Sequence, residues 1–81
     1  MSTLEMKDLI ATMAKALVDK PEEVITTEIK GQQTSVIELK VAKEDVGKII
    51  GKQGRTAQAL RGILMAASAK LRKKCTLEIL D

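Results

Sequence analysis

Val46-Gly47-Lys48-Ile49-Ile50-Gly51-Lys52-Gln53-Gly54-Arg55 is the stretch of this 81-residue chain whose residue types and spacing point to chemistry. Two glycines, Gly51 and Gly54, bracket Lys52 and Gln53, and Arg55 follows at once. Glycine has no Cβ, so Gly51 and Gly54 allow a sharp turn and a close approach of a ligand to the main chain. A helix that begins just after Gly54 aims unpaired N–H groups and the positive end of its dipole at the same spot. Lys52 and Arg55 add whole charges. The guest that suits such a place is the backbone of a short polyanion.

Composition closes off most other chemistry. The chain has no His, Trp, Tyr or Phe. Histidine acid–base catalysis is therefore excluded. A Cys/His metal site is excluded too, and the carboxylates show no metal-loop spacing. No pair of Asp or Glu residues stands at a recognisable catalytic spacing. The expectation is a non-enzyme with no cofactor, no metal and no small-molecule substrate. Cys75, the single cysteine, cannot close an internal disulfide and fits a reducing compartment. With no aromatic ring to stack on bases, any nucleic-acid contact has to use main-chain amides, charge and aliphatic surface.

The net charge of +3 is unevenly placed. Residues 1–42 carry five Lys and seven acids, a net of −2, whereas residues 43–81 carry nine basic and four acidic residues, a net of +5. Between Val46 and Lys74 there are eight Lys or Arg and no acid. An ordinary solvated surface intersperses the two signs, so this block reads as an electrostatic footprint for a polyanion. No stretch approaches the roughly 18 apolar residues of a membrane span. Leu9 to Val18 is interrupted by Lys15 and lacks the order of a secretion signal. Met1 reads as a true start, and the expected location is the cytoplasm, with no membrane contact.

Length and a hydrophobic content of 44% suit one domain over residues 1–81 with one modest core. Ser2-x-x-Glu5 is a capping box ahead of Met6, Leu9, Ile10, Met13 and Leu17 at helical spacing, which predicts a helix over Thr3 to Asp19. Lys20-Pro21 ends it. Val24 to Lys30 and Thr34 to Ala42 alternate around the turn Gly31-Gln32-Gln33 and predict an antiparallel hairpin. Ile25, Thr27 and Ile29 fall on one side of the first strand. Ile37, Leu39 and Val41 fall on one side of the second.

A short helix over Val46 to Ile50 follows, opened by Lys43-Glu44-Asp45, whose acids suit its dipole. After the Gly51–Gly54 loop comes a long helix from Thr56 to Lys73, with Ala59, Leu60, Ile63, Leu64, Ala67 and Leu71 as its inner stripe. Arg72, Lys73 and Lys74 at its end serve either to cap the helix or to bind a ligand. Cys75 to Leu80 closes the chain as a third strand, parallel to the second. The expected fold is α+β in the order α-β-β-α-α-β, a three-stranded mixed sheet with three helices packed on one face.

The run from Val46 to Thr56, with a strand upstream and another downstream, resembles the signature of the KH domain. The element order resembles its prokaryotic, type II form, and the likeness covers nearly the whole chain. Size and the continuation Gly54-Arg55-Thr56-Ala57-Gln58-Ala59-Leu60 are similar to the small bacterial single-KH RNA-binding proteins of the KhpA family. Many KH domains carry isoleucine or a similar residue where Ala57 stands, which implies a shallower groove wall here.

The resemblance implies that Gly51-Lys52-Gln53-Gly54 grips the backbone of about four nucleotides of single-stranded RNA. Lys52 is then the foremost phosphate contact. Gln53 either bonds the strand or is simply solvated. Arg55 occupies a first helical turn, where cations are disfavoured, which points to a ligand. Lys48 is a weaker candidate. Ile50, Ile49, Val46 and Leu39 offer aliphatic surface for bases, though core packing claims most of them. The resemblance also implies an RNA chaperone or post-transcriptional regulator that works as a homodimer, or as a heterodimer with a KH-containing Jag/KhpB-type protein. The continuously apolar Ile63 to Ala69 suits such pairing. Two rival readings stand beside it: a helix-turn-helix DNA binder and an interaction module whose loop is only structural. Against the former, the middle of the long helix offers Arg61 alone to reach a base edge.

Overall fold

A computed structural model describes residues 6–80, so the Ser2-x-x-Glu5 capping box lies outside the described residues. The first helix, α1, spans Met6–Leu17, with Met6, Ile10 and Ala14 buried at four-residue spacing. Proline then sets the next geometry. Lys20 is driven out of helical space (φ −120°, ψ 73°), and Pro21 opens a single 3₁₀ turn over Pro21–Glu23.

Strands β1 (Ile25–Lys30) and β2 (Ser35–Lys40) pair antiparallel from Ile25↔Lys40 to Lys30↔Ser35. The Gly31 N–H donates to the Thr34 carbonyl at 2.9 Å to close the turn. β3 (Cys75–Ile79) runs parallel to β2 on its other side, from Ser35↔Cys75 to Leu39↔Ile79. The sheet order is β1-β2-β3. Two helices, α2 (Val46–Ile50) and α3 (Arg55–Lys70), make the crossover that the parallel pair requires. A 3₁₀ turn over Lys43–Asp45 feeds α2. Helices and sheet share one aliphatic core, in which Ile10, Ile37, Leu39, Ile49 and Leu64 are fully buried. The expected α+β architecture, a mixed three-stranded sheet with three helices, is what the chain adopts.

Three local expectations change. Residues opposite one another in an antiparallel pair share a face, and Leu39 and Ile37 face Thr26 and Glu28. The covered side of β1 is therefore Thr26 and Glu28, while Ile25 and Ile29 are exposed on the open side. The register with β2 turns Ile25 and Ile29 to the sheet face that carries no helices, so the apolar alternation of β1 has no core to meet.

In α3 the buried positions are Ala57, Leu60, Leu64 and Ser68, whereas Ala59, Ile63 and Leu71 are exposed. The inner stripe is thus rotated from the one expected. Small residues on both sides of the helix leave hydrophobicity a poor guide to the buried face. α3 also stops at Lys70 rather than Lys73. The Lys73 and Arg72 N–H groups turn back to the carbonyls of Ser68 (2.8 Å) and Ala69 (3.0 Å), a Schellman closure with Arg72 in the left-handed region at φ 59°. The Lys74 carbonyl then accepts the Ser35 N–H at 2.8 Å, and β3 begins. Cys75 is buried beneath this turn. Burial pushes its thiol pKa up, the negative charge of Glu28 adds to that rise, and Lys73 opposes it.

Candidate nucleic-acid interface

The loop is built by anchoring one end and straining the other. Ile49 is fully buried and fixes α2 to the core, with Val46 half-buried beside it. The Gly51 N–H completes α2 by donating to the Gly47 carbonyl at 2.9 Å. Gly51 then takes φ 76°, ψ 173°, a region essentially closed to side chains. Thr56, in the first turn of α3, explains why no side chain fits there. A Cβ on Gly51 would collide with Thr56 Oγ1, 2.7 Å from Thr56 Cβ and 2.9 Å from its main-chain nitrogen.

Lys52–Gly54 form one 3₁₀ turn, with Gln53 (φ 57°, ψ 25°) and Gly54 (φ 72°, ψ 14°) both left-handed. The Gly54 N–H donates to the Gly51 carbonyl at 3.1 Å. Lys52 and Gln53 precede the first closed turn, so their amides have no acceptor in the helix they introduce. A helical residue followed by a left-handed one makes the amide concavity that binds anions. A glutamine held left-handed is strain kept at a loop tip, as at ligand-binding sites.

Side chains complete the picture. Lys52, Gln53 and Arg55 are exposed at this spot, and neither Lys52 nor Arg55 pairs with an acid among the described residues. Ile50 lies beside them, 38% exposed. Lys48 is placed differently from the loop cations. Its ammonium meets the Asp19 carboxylate at 3.1 Å and that of Asp45 at 3.6 Å, and Asp19, then Asp45, raise its pKa. Lys48 thus ties α2 to the segment after α1 while its side chain remains exposed. Leu39 is fully buried, and so is Ile49, which leaves Ile50 as the exposed member of the aliphatic set. Ala57 is only 3% exposed and belongs to the core rather than to an open groove wall.

Two positioning residues escaped the sequence reading. Thr56 is one. Asp45 is the other: read as a helix-dipole acid, it is 1% exposed and accepts the main-chain N–H groups of Lys20 (3.0 Å) and Asp19 (3.3 Å). Nothing local in the sequence signals a bond spanning some two dozen positions. Removing the carboxylate in Asp45→Ala leaves both N–H groups without that acceptor, an expected cost of about 2–3 kcal/mol. A lower urea midpoint at unchanged slope is the measurement.

An α-β-β-α-α-β sheet-and-helix sandwich with a glycine-bracketed cationic loop between its second and third helices defines a KH domain of the type II arrangement. The family model described as KhpA/KhpB, KH domain, matches residues 7–79, and the chain belongs to that family. It is 52% identical over 75 residues to RNA-binding protein KhpA of Clostridium acetobutylicum, covering 93% of this chain and 100% of that one. It is 55% identical over 75 residues to RNA-binding protein KhpA of Caldanaerobacter subterraneus, with the same coverage. Its identity to the Aquifex aeolicus protein of that name is 51% over 76 residues, covering 94% of this chain and 96% of the relative. A crystal structure of a variant of Aquifex aeolicus Era bound to GDP and aluminium fluoride shares the fold, with a TM-score of 0.64 at 18% identity. The match covers 96% of this chain and 31% of Era.

Proposed function

We propose that the chain is a non-enzymatic RNA-binding module that holds single-stranded RNA by its sugar-phosphate backbone at Gly51, Lys52, Gln53 and Gly54. Arg55 adds charge, and Ile50 offers aliphatic surface to a base. The observation that carries this reading is the loop geometry: left-handed Gln53 and Gly54, amides with no helical acceptor, and two cations where α3 begins that pair with no acid among the described residues. Relatives about half identical over their full length bear the name RNA-binding protein, which supports the same reading. KH loops of this form clamp about four nucleotides. With no aromatic ring in the chain, sequence preference is modest, which suits an RNA chaperone or a post-transcriptional regulator acting on many transcripts in the cytoplasm.

Competition tests it. A labelled single-stranded RNA bound to the protein is displaced by unlabelled single-stranded RNA and, at equal salt, at least about tenfold less well by duplex DNA, whose bases are not splayed for this loop. Equal or better displacement by the duplex replaces this reading with the helix-turn-helix one.

The partner is a second KH-containing chain, either another copy or a Jag/KhpB-type protein. The outer face of α3 supports this, since Ala59, Gly62, Ile63, Ala66 and Ala69 recur at helical spacing and are exposed, with Ile63 45% and Met65 65% accessible. Small residues allow a second helix to approach closely, and pairing two loops raises affinity through effective concentration. Ile63→Lys is expected to shift sedimentation to the monomer while the circular dichroism spectrum stays unchanged.

A further inference from the structure

At the other end of α3 lies a second cationic surface, formed where two turns meet. The β1–β2 turn supplies Lys30, Gln32 and Gln33 to a recess of about 440 Å³, and the α3–β3 turn supplies Arg72, Lys73 and Lys74. Ser35 N–H to Lys74 carbonyl at 2.8 Å fastens one wall to the other. Four cations line the recess against one carboxylate, Glu28, and among the described residues none of the four forms an ion pair. The Schellman position at Arg72 is one that glycine fills without cost, yet an arginine is held there at φ 59°. Left-handed geometry is unfavourable for a residue that carries a Cβ, and strain of this kind clusters where a side chain serves a ligand.

We propose that this recess is a second phosphate-binding site, which takes the sugar-phosphate backbone of the same RNA strand beyond the segment held at the Gly51–Gly54 loop. This rests on the RNA-binding reading above. The sixteen residues of α3 separate the two sites by about 24 Å. That is about seven nucleotides at the 3.4 Å spacing of a stacked strand. No acid lies along α3 to repel RNA passing beside it. The chain then binds RNA in two length regimes. Short oligomers use the loop alone, and longer ones reach the recess.

The test compares oligouridylates of about five and about fifteen nucleotides by fluorescence anisotropy, lengths chosen from those two spans. In Arg72→Gly/Lys73→Gln/Lys74→Gln, affinity for the longer oligomer is expected to fall about tenfold, and its log–log salt slope to flatten by about two, while the shorter is bound as before. Lys30→Gln, from the opposite wall, gives a smaller loss with the same length dependence. Arg72→Gly alone removes one cation at a position glycine favours, so its thermal unfolding controls for stability. Equal losses for both lengths, or no loss for the longer, overturn the second site while leaving the loop reading intact. Failure of the unaltered protein to bind either oligomer overturns the loop reading itself.

Discussion

Replacing Lys52 and Gln53 together by Asp is expected to weaken single-stranded RNA binding at least about 100-fold while leaving the fold in place. The substitution changes the loop charge by three units, at the point where α3 begins. Like charges about 4 Å apart repel by about 1 kcal/mol in water and about 4 kcal/mol at the effective dielectric of a protein surface, so a total near 3 kcal/mol is a modest estimate. That energy corresponds to a factor of more than 100 in affinity. Stability should hold because both side chains are exposed. Gln53 sits at φ 57°, which aspartate tolerates better than most residues. Binding titrations paired with circular dichroism and sedimentation provide the readout. Unchanged RNA affinity would mean that the loop is structural only; lost affinity with pairing intact supports the backbone grip.

The second large effect is one of folding. Gly51→Ala is expected to destabilise the chain by about 3–4 kcal/mol, of which about 1–3 kcal/mol is backbone strain in a region that side chains avoid. The remainder is the collision with Thr56, whose main-chain nitrogen and Cβ cannot retreat without unseating the start of α3. Gly54 offers the control. It too has positive φ, at 72°, but a Cβ there meets nothing within 4 Å, so Gly54→Ala costs only the left-handed strain, about 1–2 kcal/mol. Denaturant midpoints of the two variants check the order. Thr56→Ala added to Gly51→Ala relieves the clash with Oγ1 but not that with the main chain, so rescue is partial. A Gly51 variant no worse than the Gly54 one would remove Thr56 from its positioning role.

Much of this was legible in the sequence because the relevant signals are local. Period-two alternation located β2 and β3, Lys20-Pro21 ended α1, and the spacing of Gly51 and Gly54 placed the loop and its cations. What was not legible depends on contacts far along the chain. Alternating Ile25 and Ile29 look like core, and only the pairing register with β2, which turns Thr26 and Glu28 to the helices instead, decides that they are not. An Ala-rich helix such as α3 presents several plausible inner faces, and the sheet selects one. Lys48 belongs to the motif by position, yet Asp19 and Asp45 claim its charge. Asp45 itself looks like a surface acid until the chain folds back and brings two backbone amides to it.

That last arrangement has a bearing on how portable the motif is. Because Asp45 and Lys48 fasten the base of α2 to the junction after the first helix, the posture of the grip is set partly by a strut that is remote in the primary structure. Deleting the strut spares every loop residue yet frees the hinge on which they stand. Transplanting Val46 to Arg55 into a foreign scaffold would carry over the letters of the motif without its poise.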